Sequence, residues 1–375
     1  MKLFLIAGEP SGDRLGAALM AGLKALVPAV RFEGVGGPLM QAEGMQSLFP
    51  MEELAVMGIA EVLPKYRALK RRIAEAADAV LAAEPAALVT IDSPDFCLRV
   101  ARIVKQARPD LKTIHYVAPS VWAWRPRRAA KMAQVIDHVL ALLPFEPSYM
   151  TAAGMTCDFV GHPVVAETLA PGADVAALRT DLGSGPVLLA LPGSRKGEVT
   201  RLAPVIGGVL ALLKARHPDL RVVLPTVRGV AGLVRDLTAA WPVQPCIVTD
   251  AVQKRAAFGV ADVALAASGT VSLELAAAGV PMVIAYDMHP LTMWLMQRMA
   301  LVDTVTLVNL VSDTRVVPEF LGSRCRPELI APAVLTLLDG GTAPQRAAMA
   351  VTMQRLGQAG EAPGLRAARS ILAVL

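Results

Sequence analysis

The feature that most narrows the fold of this chain is a rhythm. Short apolar runs end in Gly, Pro, Ser or Asp, and a longer Ala- and Leu-rich stretch follows each of them. Strands with no polar alternation are buried on both faces, which happens when helices cover both sides of a parallel sheet. The chain therefore reads as α/β. The strands expected in the first half are Leu3–Ala7, Arg31–Val35, Ala87–Ile91, Thr113–Val117, His138–Leu142 and Cys157–Val160. After the breaker-rich stretch Ala170-Pro171-Gly172-Ala173-Asp174 the pattern restarts with Val187–Leu191, Arg221–Leu224, Cys246–Val248, Val263–Ala266, Met282–Ala285 and Val305–Leu307. A length of 375 residues exceeds what one core usually organises. The expectation is two Rossmann-like, doubly wound lobes facing a central cleft, residues 1–165 and 175–344. In such sheets ligands bind beyond the carboxyl ends of the strands, so the loops there are where chemistry belongs.

Composition removes several classes. With 54% hydrophobic and 18% charged residues the chain is not disordered. Aromatics at 4% leave little for stacking on nucleic acid. A net charge of +5 is modest and fits anionic lipid, a phosphorylated substrate or plain composition. Cys97, Cys157, Cys246 and Cys325 form no CxxC pair, which argues against a zinc knuckle or a disulfide framework and for a reducing cytoplasm. Glu9 and Asp13 interrupt the N-terminal run before a signal-peptide core develops. The longest apolar stretch, Val263–Tyr286, carries Ser268, Gly269, Glu274 and Pro281 and is a poor membrane span. The five histidines make no His-x-His or HExxH pattern, so neither a metal nor a cofactor is expected.

The loop Gly8-Glu9-Pro10-Ser11-Gly12-Asp13 follows the first strand and opens a helix. It lacks the GxGxxG fingerprint and a P-loop lysine, and it reads equally as a binding loop or as a turn in which Ser11 or Asp13 caps the helix. Asp92 and Asp95 sit just past a very apolar strand, where desolvation and proximity favour a general base; Asp92 is the stronger candidate, Asp95 the more natural helix cap. Trp122, Trp124, Arg125, Arg127 and Arg128 suit a sugar or phosphate surface as well as they suit a core helix with a basic end. In the second half Gly193-Ser194-Arg195-Lys196 gathers glycine, a hydroxyl and two cations in one turn, for which diphosphate is the natural guest. Ser268-Gly269-Thr270 should begin a helix whose N-terminus stabilises an anion. Glu274, one turn later, is placed to accept ribose hydroxyls or simply to suit the dipole. The apolar run 54–63, followed by Lys65, Arg67, Lys70, Arg71 and Arg72, reads as interfacial membrane contact or as a core helix with a solvated basic end.

Taken together, several of these segments make the chain resemble lipid A disaccharide synthase, a family of inverting glycosyltransferases of the GT-B architecture. The segments are Gly8–Asp13, Met51–Gly58, Ile91–Phe96, His115–Trp124, Leu142–Glu146, Gly161-His162, Leu191–Arg195, Ser268–Thr270 and Leu307–Leu310. The resemblance runs from the first strand to about Asn309. It implies transfer of 2,3-diacylglucosamine from UDP to the 6-hydroxyl of 2,3-diacylglucosamine 1-phosphate, giving a β-1′,6-linked disaccharide phosphate and UDP without a metal. On that resemblance Asp92 is the base, and Glu9, Ser11, Gly12 and Trp122 contact substrate. Gly193, Ser194, Arg195, Ser268, Gly269, Thr270, Glu274 and Asn309 bind UDP. Because both substrates carry acyl chains, Val56, Met57 and Ile59 become expected membrane contacts on the cytoplasmic face of the inner membrane. The resemblance also implies that residues 345–375 return to the first lobe and that a homodimer is a form to test. Other classes fare worse. A nicotinamide dehydrogenase needs a fingerprint the first loop lacks, an adaptor has no use for Asp92, and the nearer alternative is another GT-B enzyme using UDP-N-acetylglucosamine.

Overall fold

A computed structural model describes residues 1–54 and 59–375, the side chains of 59–66 excepted. The chain forms two compact units, Met1–Ala166 together with Leu356–Leu375, and Glu167–Arg355. The first is built on a seven-stranded sheet of β1 (Lys2–Ala7), β2 (Arg31–Val35), β3 (Gln46–Ser47), β4 (Ala87–Ile91), β5 (Lys112–Tyr116), β6 (His138–Ala141) and β7 (Thr156–Phe159). All pairs are parallel, in the order β3-β2-β1-β4-β5-β6-β7. The helices are α1 (Pro10–Leu26), α2 (Pro38–Ala42), α3 (Ile59–Ala83), α4 (Pro94–Ala107), α5 (Arg127–Met132) and α6 (Glu146–Thr151).

The second unit opens with α7 (Gly172–Leu182) and repeats the scheme. Its strands are β8 (Val187–Leu191), β9 (Arg221–Pro225), β10 (Cys246–Val248), β11 (Val263–Ala267), β12 (Met282–Tyr286) and β13 (Glu319–Leu321), all parallel in the order β10-β9-β8-β11-β12-β13. Its helices are α8 (Lys196–Lys214), α9 (Ala231–Thr238), α10 (Ala251–Val260), α11 (Val271–Ala277), α12 (Pro290–Met299), α13 (Leu307–Ser312), α14 (Pro327–Leu338) and α15 (Ala343–Arg355). The chain ends in α16 (Pro363–Val374), which belongs to the first unit. Each sheet is thus wound outward in both directions from a central pair, β1 and β4 in one unit and β8 and β11 in the other. Burial explains the regularity: β4, β8 and β11 have every residue buried, so helices must lie on both faces.

Three elements depart from the sequence reading, the unforeseen β3 being one. Val305–Leu307 is not a strand. Thr304 Oγ1 and the amides of Val305 and Thr306 all donate to Glu319 Oε1, and this side-chain grip replaces a ladder before α13 begins at Leu307. The last strand is instead Glu319–Leu321, an edge pairing too short to show a pattern.

The C-terminal helix lies tight against the first unit. A Cβ on Gly364 would lie 2.4 Å from Ala18 O, and one on Gly22 would lie 2.6 Å from Gly364 O, so α1 and α16 approach at a distance only glycine permits. Arg366 donates to Phe159 O at 2.8 Å, and Ser370 bridges His138 Nε2 and Asp158 Oδ2 at 2.8 and 2.6 Å. Gly364→Ala should therefore lower stability by about 1–3 kcal/mol through overpacking, seen as a reduced thermal midpoint. Gly232→Ala, in a helix with nothing within 4 Å, should leave it unchanged or raise it.

Glu146 is a second point of leverage. Its Oε2 accepts from the amides of Leu142 and Leu143 at 3.1 and 2.9 Å, and its Oε1 from Trp122 Nε1 at 3.2 Å. Burial raises its pKa to about 7, against the pull of those donors. Between the ordinary carboxylate value of 4.5 and about 7 the folded chain therefore holds a proton that the unfolded chain has released. The stability this group contributes is complete below that window and is lost as pH rises through it. Unfolding free energies from urea titrations at pH 5 and pH 8 should fall further apart in the native protein than in Glu146→Gln, by on the order of 3 kcal/mol. An unaltered pH dependence in the variant would refute the assignment.

Candidate functional site

The two switch points gather the residues that the sequence singled out. In the first unit β1 runs into Gly8–Asp13 and β4 into Asp92-Ser93, and the loops touch: Ser11 Oγ donates to Asp92 Oδ2 at 3.2 Å. The other carboxylate oxygen accepts from Ser93 N at 2.9 Å, and Asp92 N donates to Tyr116 O at the end of β5. The carboxylate is thus held in one orientation, half-buried, with lone pairs left for a further donor. Asp92 and Ser93 are consecutive residues with positive φ, 55° and 44°. Such conformations cost of order 1–3 kcal/mol each outside glycine and cluster at functional sites. Ser93 adds a signal that the sequence reading missed. Its Oγ is buried with no hydrogen-bond partner among the described residues, and a Cβ on Gly8 would come within 2.6 Å of it.

The neighbouring residues divide between site and scaffold. Glu9 is half-buried at the head of α1. Gly12 is buried where a Cβ would lie 3.3 Å from both Ala7 Cβ and Ile91 O, so it brings α1 close to β1 and β4. Asp13 does not cap α1. It is buried and accepts from Leu39 N and Met40 N, both at 3.0 Å, so it caps α2. Asp95 makes no cap either, because α4 starts at Pro94 with Ser93 before it. Trp122, expected against substrate, is buried edge-on to Phe145 at 5.1 Å with its N–H on Glu146, which closes its ring to stacking on a sugar. Arg72, from the basic run, pairs with Glu53 and Glu75 and lies 4.5 Å over the Phe49 ring. Val56 and Met57 lie outside the described residues, as does the side chain of Ile59.

In the second unit the loops after β8, β9 and β11 enclose a cavity of about 470 Å³, within the range of small-molecule sites. Gly193, Ser194, Arg195, Ser268, Gly269, Thr270 and Glu274 all line it. In the first turn of α11 the amides of Ser272 and Leu273 already donate to Gly269 O and Thr270 O, so what the helix turns toward the cavity is the positive end of its dipole. The opposite loop is organised differently from expectation. Glu198 accepts from Ser194 N at 3.1 Å, from Arg195 N at 3.3 Å and from Arg195 Nη1 at 2.9 Å, so those amides are already engaged. Gly193, at φ 111°, is needed because a Cβ there would lie 2.5 Å from Glu198 Oε2. Lys254 and Glu274 pair at 2.6 Å on the cavity wall.

Lys254 and Thr226 were not foreseen. Lys254 comes from α10 and Thr226 from the end of β9, whose sequence gives no motif, and Thr226 Oγ1 is buried without a partner among the described residues. Asn309 belongs elsewhere. It is buried, with Nδ2 on Val317 O and Oδ1 on Val317 N, pinning the loop that leads to β13 and taking no part in the cavity lining. Among the described residues no group of His, Cys, Asp and Glu is arranged to hold a metal, and no helix is long and apolar enough to cross a membrane.

Comparison with known proteins agrees with this geometry. The family model described as lipid-A-disaccharide synthetase matches residues 3–372. A lipid-A-disaccharide synthase of Ruegeria pomeroyi is 64% identical over 99% of this chain and 95% of its own length. Another from Rhodospirillum centenum is 49% identical over 100% and 94%. Among solved structures, a putative UDP-N-acetylglucosamine 2-epimerase from Listeria monocytogenes superposes with TM-score 0.67 at 14% identity, covering 100% of this chain and 95% of that one. A glycosyltransferase from Rickettsia africae superposes with 0.62 at 12% identity, covering 100% and 97%. These likenesses show the GT-B fold. With two Rossmann-like units, a family model that matches nearly the whole chain and full-length relatives of one kind, the chain belongs to the lipid-A-disaccharide synthase family, glycosyltransferases of lipid A biosynthesis.

Proposed function

We propose that the chain transfers 2,3-diacylglucosamine from its UDP conjugate to the 6-hydroxyl of 2,3-diacylglucosamine 1-phosphate, releasing UDP and a β-1′,6-linked disaccharide 1-phosphate. The observation that carries this reading is the cavity of the second unit, where Arg195 and Lys254 face the N-terminus of α11. That combination suits a nucleoside diphosphate and stabilises the charge that leaves with it. A Neisseria meningitidis 2-epimerase of the same fold is known with UDP-N-acetylglucosamine bound, which favours a UDP-sugar here. Glu274 takes the ribose hydroxyls with the oxygen that Lys254 leaves open.

Asp92 is the base that receives the proton of the acceptor hydroxyl as its oxygen bonds to the anomeric carbon and the bond to UDP breaks. Ser11 and the Ser93 amide orient it. Purified protein should turn over diacylated UDP-glucosamine and not UDP-N-acetylglucosamine, and the reverse preference would overturn the reading. Asp92→Asn should lower kcat by about 10²–10⁴ with little change in KM. A wild-type rate in that variant would remove Asp92 from the mechanism.

Diacylated substrates reside at a membrane, so the protein works peripherally at the cytoplasmic face of the inner membrane, with Val56, Met57 and Ile59 as contacts. Replacing these three with Ser should reduce co-sedimentation with vesicles, and unchanged binding would exclude the segment from that role.

A further inference from the structure

The second unit carries a surface that the proposed chemistry does not use. Helix α12 has no buried residue. Leu291, Trp294, Leu295 and Arg298 recur at i, i+3, i+4 and i+7, the spacing of one helical stripe. In a water-facing helix such an apolar stripe packs inward. Here it faces out, with Leu291 67% exposed, Trp294 52% and Leu295 47%, and Leu301 just beyond the helix 58% exposed. The opposite side, Met293, Met296 and Met299, is the half-buried one, and Met293 packs against the turn at Gly322. The outward stripe is therefore not the product of a helix that has lost its partner face.

Charge and area identify what covers it. Arg298 lies 4.7 Å over the Trp294 ring, within the stripe itself. Arg324, on the turn that Met293 packs against, is exposed, and among the described residues neither arginine forms an ion pair. The flanking acids are neutralised, Asp287 by Arg201 and Asp303 by Arg315. The face is thus apolar with a cationic edge, and its aromatic ring has an arginine able to extend toward headgroups while the ring and leucines enter the acyl boundary. A second copy of the chain is a poorer fit, because a single ten-residue stripe exposes a few hundred Å², against about 800 Å² per partner in a stable dimer.

We propose that α12 is an interfacial helix, seating the second unit on an anionic phospholipid bilayer through Leu291, Trp294, Leu295 and Arg298. The inference stands on the geometry of this unit alone and does not depend on the role of Asp92 or on the identity of the sugar. It adds a membrane contact to the unit that holds the nucleotide cavity, separate from residues 56–59 of the other unit. α12 follows β12, which pairs with β11, and the loop after β11 lines the cavity. The proposed anchor is thus short in sequence from the cavity wall.

Full-length protein is incubated without substrate with vesicles of phosphatidylethanolamine and phosphatidylglycerol, or of phosphatidylcholine alone, and the bound fraction is measured by sedimentation. The triple variant L291S/W294S/L295S should bind anionic vesicles at least tenfold more weakly. R298Q should lose roughly fivefold on anionic vesicles and nothing on phosphatidylcholine. Brominated lipid should quench native tryptophan emission more than that of W294F. Unchanged partition of the triple variant, with its far-UV spectrum intact, overturns the proposal. So does unchanged partition with a lost dimer in sedimentation velocity, which would assign the face to a second copy, or with a raised KM for a diacylated donor alone, which would assign it to the substrate's chains. A protein that binds vesicles through α12 yet transfers no sugar would refute the function proposed above and leave this inference standing.

Discussion

Parallel pairing of β1 with both β2 and β4, and of β8 with both β9 and β11, is the constraint on which the rest of this molecule depends. A parallel strand cannot be reached by a tight turn, so each connection must cross over as a helix, and crossovers run right-handed. Winding outward from a central pair sends successive helices to opposite faces. The two loops that leave the carboxyl ends of that pair therefore diverge and leave room between them. In the first unit that room receives Ser11 and Asp92, in the second Arg195 and Thr270. Chemistry at these points is a consequence of topology before it is a matter of residue type.

The second unit shows how such a place stays stable while remaining ready for an anion. Two acids and two bases line the cavity as internal pairs, Arg195 with Glu198 and Lys254 with Glu274. The Arg195 side chain is 63% exposed and that of Lys254 46%, and ion pairs of that exposure are worth about 0–1 kcal/mol. A diphosphate, with several charges and bidentate geometry for guanidinium, outweighs so small a penalty. Glu198 matters more as a scaffold than as a competitor. Its carboxylate holds the amides of Ser194 and Arg195 and so fixes the turn from which Arg195 projects.

β4 and β8 were legible because burial on both faces suppresses polar alternation, and β2 and β10, though partly exposed, also fall where the sequence reading put them, to the residue. Two of the four edge strands were not legible. Gln46–Ser47 and Glu319–Leu321 are too short to carry a pattern, and Val305–Leu307 has β-branched composition but yields to the three donors that Glu319 collects. The same asymmetry holds for the site. Gly193–Arg195 and Ser268–Thr270 were readable as strand-to-helix loops rich in glycine and hydroxyls. Lys254 lies in the first turn of an otherwise ordinary helix, and Thr226 and Ser93 carry buried hydroxyls, which no spacing reveals. Trp122 and Asn309 show the opposite case. Their side chains are large and polar-tipped, and in both cases the polar tip found a partner inside the fold, Glu146 for one and Val317 for the other.

Helix α12 marks a further limit of periodicity. A stripe at i, i+3, i+4 and i+7 shows that a helix has an apolar face, and in most proteins that face points to the core. Residues 290–299 are apolar on both sides, with methionines opposite the leucines and the tryptophan, so the pattern has no phase from which a direction could be read. Direction is settled by volume. Met293 is long and unbranched and fits the irregular space beside Gly322, where flexible thioethers pack well. A rigid indole has no such latitude, and Trp294 remains outside with Arg298 across its face. The orientation of this helix is thus fixed by which side chains can fill an uneven gap, and the stripe left outward is the one whose ring and guanidinium are suited to a boundary between water and hydrocarbon.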